Sequence, residues 1–277
     1  MAQEGSALPR IIIYATSSIN LGPLLDAGQN GQITHALVGM FHVGFDKGTN
    51  QPYVHLNDLP PSDPSYVELW SAVKKLQAAG VVVMASLGGG GVSDYSYLFE
   101  NYSTFYPMIQ QAIQQYNLSG IDLDIEEAVT TADVQKLIGD LRADFPGGLI
   151  SSAPVASALT GGRTVSPGVD YNHLLGSFDW YNLQFYNDFG SIGAGPKPHY
   201  PDVVAACGAE NVPKLVAGTL TNDPLTPLAA ALRNLGQEYE DFGGMDGWNY
   251  LNTPDFSDWA VTMWGALRSN AVVVPRR

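Results

Sequence analysis

The stretch "SGIDLDIEE", residues 119–127, sets Asp122, Asp124 and Glu126 at alternate positions among Gly, Ile and Leu. Alternate side chains of a strand share a face. The three acids therefore point one way, and Ile121, Leu123 and Ile125 the other. A solvated acidic patch would not need such apolar neighbours. The apolar set suits a covering layer of helices. The acidic set suits the inside of a closed sheet, with Glu126 highest, near the C-terminal mouth. Two charges ~5 Å apart repel by about 3 kcal/mol at an effective dielectric of ~20, or roughly two pKa units. All three acids cannot be ionised together. One proton is expected to be shared low in the stack, with Glu126 held protonated near neutral pH.

Outward from this segment, short β-branched runs alternate with helical patterns. Strands are expected at "RIIIYAT" (10–16), "THALVGMF" (34–41), "VVVMASL" (81–87), "GIDLDIE" (120–126), "LISSAPV" (149–155), "DWYNLQFY" (179–186), "PKLVAGTL" (213–220) and "GGMDGWNY" (243–250). Helices are expected at 64–80, with Val67, Trp70, Val73, Leu76 and Ala79 on one face and Gly80 as the stop. Two more are expected at 130–145, behind a Thr/Asp cap, and at 255–269. Eight strands alternating with helices imply parallel pairing. The fold class is α/β, a single-domain (β/α)8 TIM barrel over residues 1–277 with its core at about 10–269. An open doubly wound sheet would normally carry a glycine-rich nucleotide turn after its first strand. "SSINLGP" lacks that spacing. Two long segments, 42–64 and 187–201, leave the C-terminal ends of strands and are expected to wall a groove.

Composition narrows the partners. Of 277 residues 45% are apolar and 14% charged, as in an ordinary globular protein. A formal net charge of −14 repels phosphate backbones and anionic lipid, so neither nucleic acid nor membrane is an expected partner. The only locally basic stretch is the tail "PRR". Cys207 is the only cysteine, so no internal disulfide is possible. No apolar stretch approaches the ~20 residues of a membrane span. The start "MAQEGSALPR" has no apolar signal core, which leaves a cytoplasmic protein or one whose export signal was removed. Sequons at Asn101 and Asn117 lean weakly to secretion. A monomer without cofactor or metal is expected.

Three readings fit the acidic stack. A protonated Glu at the rim beside an ionised Asp is the acid half of glycosidic cleavage. The stack could instead hold Mg²⁺ or Ca²⁺, or be purely structural. If the chemistry is glycosidic, geometry adds a constraint. A two-carboxylate retaining site places its acid and nucleophile on either side of the sugar, ~5–5.5 Å apart. Carboxylates two apart on one strand lie on the same side, so Asp124 is badly placed to attack C1. The nucleophile must come from elsewhere, and a 2-acetamido group of the substrate is one candidate.

At these residues the sequence resembles glycoside hydrolase family 18. "GIDLDIE" looks like its D-x-D-x-E signature, and "SLGGGG" (86–91) is similar to its S-x-G-G motif. "QFYN" (184–187) sits where the family carries an M-x-Y-D type sequence, and "GGMDGWNY" resembles its last strand. "VHLNDLPPSDPSYVELW", "LRADFP", "APVASAL" and "DWYNLQFYNDFGS" resemble the fungal endo-β-N-acetylglucosaminidases of that family more than its chitinases. Ile125, Gln184 and Asn187 depart from the chitinase pattern, where Trp, Met and Asp are common. Ser119 departs from both groups, which often begin the signature with an acid.

The resemblance implies substrate-assisted hydrolysis of the β-1,4 bond in the N,N′-diacetylchitobiose core of N-linked glycans. Glu126 would protonate the leaving oxygen, and Asp124 would orient the acetamido group. Asp122 would tune Asp124, and Tyr186 would hydrogen-bond the acetamido oxygen. Trp248, Gln184, Asn187, Gly88 and Gly89 would bind substrate. A chitinase and a non-catalytic, lectin-like barrel are the rival expectations. Without the resemblance, Tyr186 and Trp248 are as easily core residues, and Trp180 is expected in the core. The run "SLGGGG" lacks the Lys of a phosphate loop and suits close backbone packing. Tyr95, Tyr97, Phe99 and Tyr102 suit either a sugar-stacking rim or a local apolar cluster. The five histidines show no metal-ligand spacing, and His42 and His55 are expected to line the groove.

Overall fold

A computed structural model describes residues 9–16 and 20–268; the start of the chain and the "PRR" tail lie outside these. The chain begins with strand β1 (Arg10–Ala15), helix α1 (Gly22–Gln29) and strand β2 (His35–Phe45), which folds back as β3 (Pro52–Leu56). Helix α2 (Val67–Ala78), β4 (Val82–Gly88), α3 (Asp94–Glu100) and α4 (Tyr102–Gln115) follow. Next come β5 (Gly120–Asp124), α5 (Thr131–Asp144), β6 (Leu149–Ser152) and the single-turn α6 (Ala156–Leu159). The chain closes with β7 (Trp180–Gln184), α7 (Tyr200–Cys207), β8 (Leu215–Leu220), α8 (Leu225–Glu238), β9 (Gly244–Trp248) and α9 (Phe256–Arg268).

Eight strands pair in parallel in the order β1, β9, β8, β7, β6, β5, β4, β2. The pairing of β2 with β1 shuts the ring. The fold is a closed (β/α)8 barrel, and all eight expected strands are in it. The ninth strand, β3, corrects the expectation of a plain loop at 42–64. Strand β2 runs on to Phe45 and pairs antiparallel with β3, His42 opposite His55. The hairpin was hidden because its turn, "DKGTN", carries no two-residue type I′ signature.

Period-2 alternation sorts the strand residues into two cores. Ile12, Tyr14, Leu37, Val82, Met84, Ala153, Trp180 and Val216 pack inside the barrel. Ile11, Ile13, Ala36, Val83, Ala85, Ile121, Leu123 and Met245 pack outward in the larger core that includes the helices. At the base of the barrel the Arg10 guanidinium lies 4.7 Å from the Trp180 ring centroid, and His35 meets that ring edge-on at 5.1 Å. Burial, then the Arg10 charge, lowers the His35 pKa to about 3, so this imidazole is neutral.

The helix at 130–145 starts as expected. Thr130 Oγ1 accepts the Asp133 N–H at 3.1 Å, and Asp133 answers to the Thr130 N–H at 3.3 Å. The first of the expected helices is shorter than its periodicity suggested. Pro64 opens a separate 3₁₀ turn, and α2 buries Leu69, Ala72, Val73 and Leu76 while Val67 is 63% exposed. After β6 only α6 covers the sheet. Tyr171, Leu174 and Phe178 are all buried, and Tyr171 and Phe178 pack against Tyr181 of β7 with ring centroids 5.9 and 5.2 Å away.

Candidate active site

Strand β5 is pressed against β6 at Gly120, where an added Cβ would lie 1.9 Å from the Leu149 carbonyl oxygen. Above it Asp122 is fully enclosed. Its Oδ1 accepts from Ser151 Oγ at 2.7 Å and Asn182 Nδ2 at 3.0 Å. Its Oδ2 accepts from Tyr14 Oη and Ser86 Oγ, each at 3.0 Å. These donors fill the carboxylate and leave no lone pair for a cation. Asp124, 5% exposed, accepts from Gln184 Nε2 at 3.2 Å. Glu126 lies beyond the last residue of β5, a correction to the expected strand end. It is half-buried, and Gln184 Nε2 stands 3.5 Å from its Oε1. One amide nitrogen thus lies between Asp124 and Glu126, on the same side of the site.

A fourth carboxyl was not anticipated. Asp246 on β9 is buried in the barrel, and its Oδ2 has no hydrogen-bond partner among the described residues. Gly218 leaves the room for it, since a Cβ there would come within 2.7 Å of that oxygen. Burial, followed by the charge of Asp122, pushes the Asp246 pKa well above the usual carboxylate range. Burial, then Glu126, Asp122 and Asp246, does the same to Asp124. Asp122 is also raised by burial, but its four hydrogen bonds oppose this. Of the three, Asp122 is therefore the easiest to ionise, because donors receive its charge, and Asp124 and Asp246 hold their protons more strongly.

Linkage gives this a sign. A carboxyl whose folded pKa lies above its ordinary 3.8 stabilises the fold at pH below that value and loses the contribution as pH rises through the folded pKa. Asp246→Asn, compared with the parent, should therefore gain several degrees of Tm between about pH 4 and about pH 8. A Tm difference that is equal at both pH values would contradict the assignment.

The glycines of "SLGGGG" divide the work. Gly88, with φ +103°, is buried where a Cβ would meet the Asp124 carbonyl oxygen at 2.2 Å and Tyr95 Cε2 at 2.6 Å. Gly88 thus lies tight against the backbone of Asp124. Gly89 donates its N–H to that carbonyl oxygen at 2.9 Å, and an added Cβ there would lie 3.6 Å from Asp124 Oδ2. At Gly90 a Cβ would approach Glu126 Oε2 to 2.8 Å. Gly88→Ala should cost about 3 kcal/mol of stability from overpacking and left-handed strain together. Thermal melting would show it, and an unchanged Tm would refute the close approach.

The remaining expected residues sit at the same mouth. Tyr186 follows β7, half-buried. Burial first, then Asp246, Asp124, Glu126 and Asp122, pushes its phenol well above the usual pKa, so it remains a donor. Trp248 is half-buried and meets Tyr14 edge-on, 5.3 Å between centroids. Asn187 is exposed with φ +52°, and its carbonyl oxygen accepts from Arg163. Tyr95, Tyr97 and Phe99 are on helix α3, and Tyr102 opens α4; they do not form a loop rim. Tyr95 is fully buried, and its hydroxyl bonds the Leu87 carbonyl. His42 pairs with Asp94 at 2.8 Å, and His55 stacks on Tyr53 at 4.0 Å between centroids.

The model of the family described as "Glycosyl hydrolases family 18" matches residues 10–236. The chain belongs to glycoside hydrolase family 18. The solved structure of a fungal endo-beta-N-acetylglucosaminidase from glycosyl hydrolase family 18 is 33% identical, with a TM-score of 0.82 over 95% of this chain and 99% of that one. Chitinase ChiC from Aspergillus fumigatus is 31% identical, with a TM-score of 0.79 over 92% of this chain and 98% of that one. Endochitinase 37 of Trichoderma harzianum is 27% identical over 135 residues, which span 40% of this chain and 39% of that relative. Family 18 membership makes the protein a glycoside hydrolase. The partners of the acid stack (Tyr14, Ser86, Ser151, Asn182 and Asp246) escaped the sequence reading. The signal was present: each sits at an inward position of its own strand, and Asp246 lies two before Trp248.

Proposed function

We propose that this family 18 hydrolase is an endo-β-N-acetylglucosaminidase that cleaves the β-1,4 bond of the N,N′-diacetylchitobiose core of N-linked glycans. The observation that carries the reading is the shared side of Asp124 and Glu126, with Gln184 between them. With both acids on one side, an acetamido oxygen of the substrate itself supplies the nucleophile. Glu126 protonates the departing oxygen as the acetamido oxygen attacks C1 and closes an oxazolinium ring. As positive charge builds on the acetamido nitrogen, Asp124 gives up its proton to solvent water, and its carboxylate accepts the N–H. Asp122 keeps its charge beneath. The Tyr186 hydroxyl donates to the acetamido oxygen, and Trp248 floors the sugar. Gln184, Asn187 and Gly89 line the pocket. Glu126 then takes a proton from water, which opens the ring with retained configuration.

The likeness to the fungal endo-beta-N-acetylglucosaminidase over nearly the whole of both chains supports this substrate. The similar likeness to a chitinase keeps GlcNAc polymers as the second reading. Mass spectrometry after incubation with a high-mannose glycoprotein, beside chitin oligomers, separates the two. The expected product is a protein retaining one GlcNAc per site. Intact glycoprotein with shortened chitin oligomers would assign the enzyme to chitin.

A further inference from the structure

Glu126 is weakly held by its own side chain. Among the described residues its polar partner is Gln184 Nε2, at 3.5 Å, the outer limit of a hydrogen bond. Sheet pairing cannot hold it either, because β5 ends at Asp124. Its position must come from the backbone on either side. On the N-terminal side the Asp124 carbonyl accepts the Gly89 N–H, and Ile125 is fully buried in the outer core. On the C-terminal side stands Glu127. Its Oε1 accepts the Tyr95 N–H at 2.9 Å. Its Oε2 accepts the Ser96 N–H at 3.1 Å and the Ser96 hydroxyl at 2.7 Å.

Helix α3, which receives Glu127, is itself fixed in place. Asp94 takes the Val43 N–H at 2.8 Å and pairs with His42 at 2.8 Å, tying the helix to the β2–β3 hairpin. The Tyr95 hydroxyl donates to the Leu87 carbonyl at 2.8 Å, tying it to the end of β4. An acceptor-only carboxylate on three donors is a strong anchor.

We infer that Glu127 is a positioning residue for Glu126, clamping the chain immediately after it onto α3 so that the carboxyl meets the departing sugar oxygen. The inference rests on the reading of Glu126 as the acid. It also links the β2–β3 hairpin to the reacting centre through one short helix. A general acid misplaced by ~1 Å can lose about 10²-fold in rate without loss of binding.

The test separates kcat from KM for Glu127→Ala and Glu127→Gln. Both are assayed on whichever substrate the wild-type enzyme cleaves, glycopeptide or chitin oligomer. The substrate class is thus judged on the wild type, and the clamp on the variants. Alanine removes charge and bonds, whereas glutamine keeps an acceptor oxygen for α3. Glu127→Ala is expected to lower kcat about 30-fold or more with KM within about threefold. Glu127→Gln is expected within about fivefold of wild-type kcat. Affinity for a thiazoline analogue of diacetylchitobiose, which needs no proton from Glu126, should be unchanged in both. Wild-type kcat in Glu127→Ala would overturn the inference. So would a glutamine variant as slow as alanine, or thiazoline affinity falling in step with kcat. Should Glu127→Ala fail to fold, Ser96→Ala removes a single bond. A fall in kcat at constant KM then supports the clamp, and an unchanged kcat overturns it.

Discussion

Glu126→Gln is expected to lower kcat by about 10³-fold or more while leaving glycan affinity in place. The substitution keeps the size of the side chain and its place at the barrel mouth, but no transferable proton remains. One residue serves both halves of the proposed mechanism, as acid when the ring closes and as base when water opens it. Loss at either half stops turnover, so the effect belongs at the upper end of what general acid–base catalysis contributes. Binding should survive, because Gln184, Tyr186 and Trp248 are untouched. Released glycan measured by chromatography gives the rate, and calorimetry on the inactive variant gives the affinity. Near-normal turnover would remove the acid assignment.

Asp124→Asn is expected to cut turnover of the full substrate by about 10²–10³-fold. It should still allow a preformed sugar oxazoline to be processed. Asparagine fits the same space and can accept from Gln184, now 3.2 Å from Asp124 Oδ1. It cannot take the negative charge that balances the oxazolinium. Asp124 is enclosed, and burial, followed by the neighbouring Glu126, Asp122 and Asp246 carboxyls, raises its pKa well above the usual carboxylate range. Its ionised form therefore becomes favourable only when positive charge arrives above it. An oxazoline bypasses the step that creates that charge. Equal losses with both substrates would count against the role.

The barrel was legible because alternation is a local property. Each inward or outward residue of β5 could be read from one strand, and eight β-branched runs with helices between them sufficed for closure. The Thr130–Asp133 cap was legible for the same reason, since its partners are three residues apart. What needed coordinates was long-range. The donors that fill Asp122 come from residues 29 to 108 positions away, on four other strands. That Asp246 Oδ2 lacks a partner among the described residues is visible only once Gly218 is placed beside it. Glu127 drew no reading from the sequence, because its partner Ser96 lies 31 residues earlier. The four aromatics at 95–102 fitted a rim and a local apolar cluster equally, because "DYSYLFENY" has no clean helical stripe. The structure resolves them into two helices broken at Asn101.

The proposed chemistry is tested most directly by a matched pair of substrates. One carries the 2-acetamido group on the sugar whose bond breaks, and the other a 2-hydroxyl, both with the same leaving group. Side by side at equal enzyme concentration, the acetamido substrate should be cleaved and its first-formed product should be the β-anomer by ¹H NMR. The hydroxyl substrate should remain intact. Comparable cleavage of both would mean that the nucleophile comes from the protein or from water, and the account of Asp124 and Glu126 as a substrate-assisted pair would be wrong.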